Sequence, residues 1–254
     1  MPTKEGTTWT YQNAYSSDIS DDSQGQESLT VESFTSGEAT FENSIERGVP
    51  EGILTRSLTF GGLQHDDGKL TYSGRFTLLS FDAKTHAMLP IEDLVLLDES
   101  IETETVIDER MGAQSEQKNF KVVISGTLTA SYDLTVTQTP LEAHDVDGQT
   151  YNDVMQTVVD IDDIRIRFMI PSMDGMSAFI TEDEGESFVV STFYFARDVG
   201  LVEATTETKI PFRLVGEIVE EFIGEPMDSE ALVAAGAPDL KPVHSTHHQV
   251  LSAQ

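Results

Sequence analysis

The sequence predicts a mainly β protein whose long antiparallel strands form a curved sheet, a half-barrel or a sandwich, with one or two short helices. Two observations lead to this prediction. Apolar and polar residues alternate over long stretches, which is the periodicity of strands with one buried face. Convincing helical segments are few, so helices cannot cover a parallel sheet, and the apolar face must be covered by a second sheet or by curling.

The N-terminal part of the chain, residues 1–48, is polar and acidic and is predicted to form a strand and loops that belong to the same domain. Within it, SSDISDDSQGQES (Ser16 to Ser28) is typical of a solvated loop or a loose sheet edge. Residues 49–225 are predicted to be the β core. Its clearest signal, Phe120 to Val136, predicts one long bent strand or two strands with a kink near Gly126.

Later segments are less uniform. Leu89 to Leu97 fits either a helix or a strand. DIDDIR (Asp160 to Arg165) shifts its apolar register, which indicates a bulge. Residues 226–254 are predicted to form a short helix and a flexible tail, because Asp228 to Gly236 has an Asp N-cap and a terminal glycine, while the segment from Ala237 onward has two prolines and no apolar face.

The stretch FYFARDVGLVEA, Phe193 to Ala204, combines an aromatic strand with an abrupt break. Apolar residues on both faces before the break predict a central strand that is covered on both sides. Arg197 and Asp198 are expected at a bulge or tight turn, and Gly200 is expected to allow positive φ or close backbone approach. The polar residues that follow predict a strand at a sheet edge.

Composition excludes several functional classes. The chain has 45 acidic against 15 basic residues, a net charge of −30, so generic binding to nucleic acids or anionic membranes is excluded. The acidity fits either a solvating shell suited to high salt or the binding of divalent cations. There is no cysteine, hence no disulfide or thiolate metal site. No segment approaches the length of a membrane span and no signal peptide is recognised, so we expect a cytosolic chain or one whose leader is removed.

Several scattered motifs resemble those of exported bacterial and archaeal proteins, often lipoproteins, of mostly unknown function. EGTTWTY matches their opening Gly-x-x-Trp-x-Tyr strand, and FYFARDVGLVE matches their late aromatic strand that ends in Ala-x-x-Val-Gly-Leu-Val. The segment Leu134 to Val159 resembles their threonine- and valine-rich hairpin. The resemblance implies a half-barrel similar to lipoprotein carriers and an extracytoplasmic location (periplasm, cell surface or secreted), the leader being absent from this chain. It implies no catalytic residues.

Two sets of candidate site residues emerge. The aromatic side chains Phe193, Tyr194, Phe195 and Trp9 are candidates for contact with an apolar ligand. The segment HDVDGQTYND places Asp145, Asp147 and Asp153 around a glycine, and calcium prefers such oxygen ligands. The EF-hand pattern is not met, and an Asp-Gly hairpin turn explains the same residues. Calcium is the only cofactor considered, and the turn is the favoured interpretation.

These observations lead to a functional hypothesis. The sequence lacks the Gly-x-Ser-x-Gly and phosphate-binding glycine motifs, so it predicts a non-enzymatic, exported or cell-envelope β-domain that binds a lipid or another apolar ligand. The alternatives are a structural or interaction module, as in a surface layer or virion, and a calcium-dependent binding module. The expected partners are a lipid or apolar small molecule, or an envelope or surface protein.

Overall fold

The computed structural model describes residues 4–17, 20–46, 51–80, 86–120, 124–169, 177–180, 188–210, 213–214 and 243–252. Within these residues, twelve antiparallel strands form a nearly closed barrel, with one short helix, α1 (Ile53–Leu58). The wall strands are β1 (Thr8–Ser17), β2 (Ser20–Thr35), β3 (Glu38–Ile45), β4 (Gly61–Asp66), β5 (Lys69–Ser80), β6 (His86–Asp98), β7 (Thr105–Phe120), β8 (Ile124–Val146), β9 (Gln149–Met169), β11 (Phe188–Ala196), β12 (Gly200–Ile210) and β14 (Val243–Leu251). The short strands β10 (Ser177–Ile180) and β13 (Arg213–Leu214) extend the sheet at the end of β9.

The strands follow each other round the wall in the order β7-β8-β9-β11-β12-β14-β1-β2-β3-β4-β5-β6, and every pair is antiparallel. The predicted mainly β fold with long antiparallel strands is therefore confirmed, and its curved sheet runs almost the whole way round. In the described part of the chain, no helix is long and apolar enough to cross a membrane.

Two predicted irregular segments turn out to be strands. Most of the predicted loop from Ser16 to Ser28 belongs to β1 and β2, and the end of the predicted tail forms β14 between β12 and β1. The apolar pattern of β2 and β14 is interrupted because Glu27, His247 and Gln249 are buried together with apolar residues of the same strands. The prediction failed because tertiary contacts, and not local periodicity, determine that these segments form strands. The helix expected at Asp228 to Gly236 lies outside the described residues.

Other expectations are resolved by the pairing. Phe120 pairs with Ile124, so β7 and β8 are separate strands, and Gly126 lies within β8. Leu89 to Leu97 is part of β6. The bulge in DIDDIR is confirmed by a register shift opposite Asp133. β12 is not a sheet edge, since it pairs with both β11 and β14.

The interior of the described barrel is filled by large side chains and by helix α1. Ser57 links the helix to β5, because its carbonyl oxygen accepts from the Tyr72 hydroxyl at 2.8 Å and its own hydroxyl accepts from the Thr77 amide at 2.9 Å. The helix buries all but one of its six residues. Fully buried aromatic side chains also belong to this core: Tyr11, Tyr72, Phe76 and Phe193.

A buried carboxylate fastens the helix to four strands. Glu27 on β2 accepts hydrogen bonds from the side-chain amides of Asn13 on β1, Asn43 on β3 and Gln249 on β14, at 2.5, 2.6 and 2.7 Å. It also accepts from the backbone amide of Gly52, which precedes the helix, at 3.1 Å. A fully buried charge is retained only when donors replace its water shell, as they do here.

Titration of Glu27 should make stability depend on pH. Burial raises the pKa of Glu27, and hydrogen bonds from Thr55, Asn13, Gly52 and Asn43 oppose this rise only in part. The folded protein thus holds this proton more tightly than the unfolded chain. The contribution of Glu27 to stability is fully present below its ordinary pKa and is lost as the pH rises through the folded pKa.

The matched variant is Glu27→Gln, which mimics the protonated acid at every pH. We expect the free energy of unfolding of wild type minus that of Glu27→Gln to fall from about pH 4 to about pH 8, measured by urea unfolding. Repulsion among the other carboxylates cancels in this difference. A difference that is flat or rises with pH would contradict the raised pKa.

The barrel closes without a backbone ladder between β6 and β7. Gln138 of β8 accepts from the Asp98 amide at 2.9 Å, and Thr157 of β9 donates to the Leu96 carbonyl at 2.8 Å, so side chains satisfy the inner end of β6. Further along β6, the guanidinium of Arg110 on β7 donates to the carbonyls of Glu92 and Asp93. We call this row of contacts the seam. Because side-chain contacts stand here in place of a backbone ladder, the barrel is nearly closed rather than closed.

Candidate ligand-binding site at the barrel mouth

A cavity of about 500 Å³ opens at the end of the barrel where the β4–β5, β8–β9 and β11–β12 turns lie. We call it the mouth pocket. A volume of this size is in the range that holds small organic ligands. Its apolar lining comes from β6, the residues after it, β8, β9 and β11: Leu97, Ile101, Pro140, Leu141, Val154, Met155, Phe195 and Ala196.

Strand pairing brings these apolar residues together. Met155 pairs with Phe195 on one side and with Pro140 on the other, so three neighbouring strands present apolar groups side by side. Leu97 reaches the same space from β6, whose inner end is held by the seam. Because β6 has a backbone ladder here only with β5 among the described strands, and none on its other edge, the pocket depends on the seam for its fourth side.

The rim of the mouth pocket is charged. It carries His65, Glu99, Asp153, Arg197 and Asp198. The Arg197 guanidinium lies 3.7 Å from the Asp153 carboxylate in a largely exposed ion pair, and the Arg197 amide donates to the Asp153 carbonyl at 3.2 Å. Exposed pairs of this kind contribute little to stability and leave both groups able to meet a ligand.

Two rim residues adopt backbone conformations that are uncommon for residues other than glycine. Asp153 has φ of 51° and Asp198 has φ of 61°. Asp198 lies in the turn that follows Ala196, and Gly200 has φ of 104°, so the predicted break at Arg197 and Asp198 is confirmed as a tight turn. Aspartate tolerates the left-handed region better than most residues.

A second hollow of about 370 Å³ lies beside the mouth pocket and shares Asp198 with it. Trp9 and Tyr151 line this hollow, together with polar residues of the β8–β9 hairpin and the end of β14. The indole N–H of Trp9 donates to the carbonyl of Val199 at 2.9 Å. The only tryptophan of the chain therefore contacts the turn that borders both spaces.

The four aromatic candidates occupy different places. Phe195 lines the mouth pocket, whereas Phe193 is fully buried in the interior. Tyr194 points the other way and stacks on His144 at a ring distance of 3.8 Å. Trp9 borders the second hollow. The structure thus brings Phe195 and Trp9 to the same end of the barrel and separates the other two from it.

Tyr194 belongs to a polar cluster on the outer face that the sequence did not indicate. Glu203 on β12 binds two histidines, with each carboxylate oxygen 2.6 Å from one imidazole Nε2, those of His144 and His248. Gln156 donates to the Tyr194 hydroxyl at 3.0 Å. Five neighbouring strands contribute one residue each. Only the strand pairing reveals this cluster, because its members are far apart in the sequence.

The three candidate calcium ligands do not share one location. Asp147 and Gly148 form the two-residue turn of the β8–β9 hairpin, both with positive φ, as the hairpin interpretation expects. Asp145 accepts from the Thr150 hydroxyl across this hairpin. Asp153 lies at the rim of the mouth pocket. In the described ranges, no group of three or more His, Cys, Asp or Glu side chains is placed to hold a metal ion.

The residues that sequence reasoning missed are Leu97, Leu141, Met155 and, as a rim group, Arg197. Each comes from a different strand or turn, so no local motif marks them. Comparisons of the chain with protein-family models, with curated proteins and with solved structures found no match.

Proposed function

We propose that this protein is a non-enzymatic binding domain that holds a small apolar or amphipathic ligand in the mouth pocket. One observation carries the proposal: a cavity of about 500 Å³, lined by eight apolar and five ionisable residues, is open at the mouth. Apolar pockets with a few polar groups at one side are the usual setting for such ligands. The described interior is packed around α1, so the binding site lies at the mouth and not along the barrel axis.

The proposal includes a location outside the cytoplasm, in the cell envelope or at the cell surface. The motifs around Trp9 and Val199 support it through their resemblance to exported proteins. In the structure these motifs meet, since the Trp9 indole binds the Val199 carbonyl. A contact between two remote motifs gives them a shared structural role at the barrel mouth.

A polar substitution in the pocket wall tests the proposal. We expect 1-decanol to bind wild type saturably, measured by calorimetry and by Trp9 fluorescence, and Leu141→Asn to weaken this binding about tenfold, because an apolar contact is replaced by an amide. Leu141 is only partly buried, so the variant should fold.

The control is Met111→Asn, which changes an apolar residue that is 87% exposed on β7, away from the pocket. Its affinity for decanol should equal that of wild type. Absence of saturable binding to wild type would contradict the proposal, and equal losses in both variants would show non-specific adsorption.

A structural or interaction module is the second candidate. Met111 and Val106 on β7 are exposed at 87% and 54%, and β7 pairs only with β8 among the described strands. An unpaired strand edge with exposed apolar side chains can join another chain. A stable oligomer that dissociates in Met111→Asn would favour this function.

A further inference from the structure

The rim of the mouth pocket carries more negative than positive charge. Its ionisable lining consists of Glu99, Asp153 and Asp198 against Arg197, with His65 beside them. Three carboxylates thus face one guanidinium. The whole chain adds to this field, because acidic residues outnumber basic ones by 45 to 15.

The position of these charges relative to the apolar walls is specific. Met155 follows Asp153 by two residues, and Phe195 precedes Asp198 by three, so each carboxylate stands at the open end of a wall element. The Arg197 amide bonds the Asp153 carbonyl and holds the two carrying segments together. A ligand with its apolar part against Met155 and Phe195 would place its polar end among these carboxylates.

We propose that the ligand of the mouth pocket is a cationic amphiphile, with an apolar chain or ring and an amine or quaternary ammonium end. This inference rests on the proposed function and specifies its ligand class. A cationic end is attracted by the rim carboxylates and by the negative net charge of the chain, whereas an anionic end is repelled by both. The exposed Arg197 is already balanced by Asp153 and does not reverse this preference.

The test compares three probes that share a ten-carbon chain and differ only in the polar end: decylammonium, 1-decanol and decanoate. Each is titrated into the full chain below its aggregation concentration, with calorimetry and Trp9 fluorescence as readouts. We expect decylammonium to bind most tightly and decanoate most weakly. The preference for decylammonium over decanol should shrink as salt is added, because exposed charges are screened.

Matched variants distinguish the effect of the rim carboxylates on binding from the effect of the net charge of the whole protein. Asp153→Asn and Asp198→Asn should each weaken the binding of decylammonium about twofold to fivefold and leave the affinity for decanol unchanged. The control is Asp147→Asn, which removes the same charge from a residue of the same backbone conformation, φ of 48°, at the same end of the barrel but outside the pocket. Arg197→Gln should strengthen decylammonium binding.

The outcomes distinguish the two proposals. If no probe binds, the proposed function itself is contradicted. If decanol or decanoate binds as tightly as decylammonium, the proposed binding function is supported but the proposed cationic ligand class is wrong. If Asp147→Asn weakens decylammonium as much as the rim variants do, the preference comes from the net charge and the assignment to the rim is overturned.

Discussion

Replacing Glu27 by alanine should lower the free energy of unfolding by about 3 kcal/mol or more at neutral pH. The variant removes the shared acceptor of three side-chain amides and of the Gly52 amide, all of which lie in the barrel interior. Buried donors without an acceptor carry their full desolvation cost, and the truncated side chain also leaves a cavity. Urea unfolding followed by circular dichroism measures the loss.

Two variants make this result specific. Glu32→Ala removes an exposed glutamate from the same strand and should change stability by less than about 0.5 kcal/mol. Glu27→Gln should retain most of the stability, because the Asn43 Oδ1 and Gln249 Oε1 atoms, buried with no hydrogen-bond partner, can accept from an amide after rotation. A loss below about 1 kcal/mol in Glu27→Ala would show that the carboxylate does not hold the helix in place.

Replacing Gln138 by alanine should cost about 2 to 4 kcal/mol, because this side chain is fully buried and closes the seam. Its Oε1 accepts from the Asp98 amide at 2.9 Å, and its Nε2 donates to the Thr157 hydroxyl at 3.0 Å. On the edge of β6 that faces away from β5, no described strand forms a backbone ladder with it here. The loss should therefore appear locally as faster hydrogen exchange of β6 amides as well as globally.

A graded series tests the seam. Thr157→Val removes the hydrogen bond to the Leu96 carbonyl and the one from Gln138 Nε2 at nearly constant volume, and should cost about 1 to 2 kcal/mol. Gln156→Ala changes an outward-facing glutamine on the same strand and should have a small effect. Unchanged exchange of the β6 amides in Gln138→Ala would mean that the seam does not depend on this residue.

The sequence predicted those parts of the fold in which local periodicity and tertiary packing agree. β8 and β9 alternate clearly, their Asp147–Gly148 turn has the expected chemistry, and the break after Ala196 is a turn with Gly200 at positive φ. β2 and β14 were missed because several of the residues they bury are polar. Glu27 and Gln249 bind each other in the interior, and such a contact cannot be recognised until the strands are placed.

The closure of the barrel could not be predicted either. Alternation predicts that a sheet has one apolar face, but not how far it curls or what joins its ends. Here the ends meet through Gln138, Thr157 and Arg110, which look like ordinary polar residues in the sequence.

The candidate site was predicted in part. An aromatic strand near residues 193–195 was expected to contact an apolar ligand, and Phe195 does line the mouth pocket. Its neighbours Leu97, Leu141 and Met155 come from three other strands, so the pocket arises from the register of the barrel and not from a motif. The binding function itself stays a prediction.

The most direct test of the account is native mass spectrometry of freshly purified protein, with an organic extract of the same sample analysed in parallel. We predict a bound small molecule of defined mass that carries an amine or quaternary ammonium group and is lost in Leu141→Asn but retained in Met111→Asn. A bare polypeptide mass for wild type, together with no binding of any decyl probe, would contradict the mouth pocket as a ligand site.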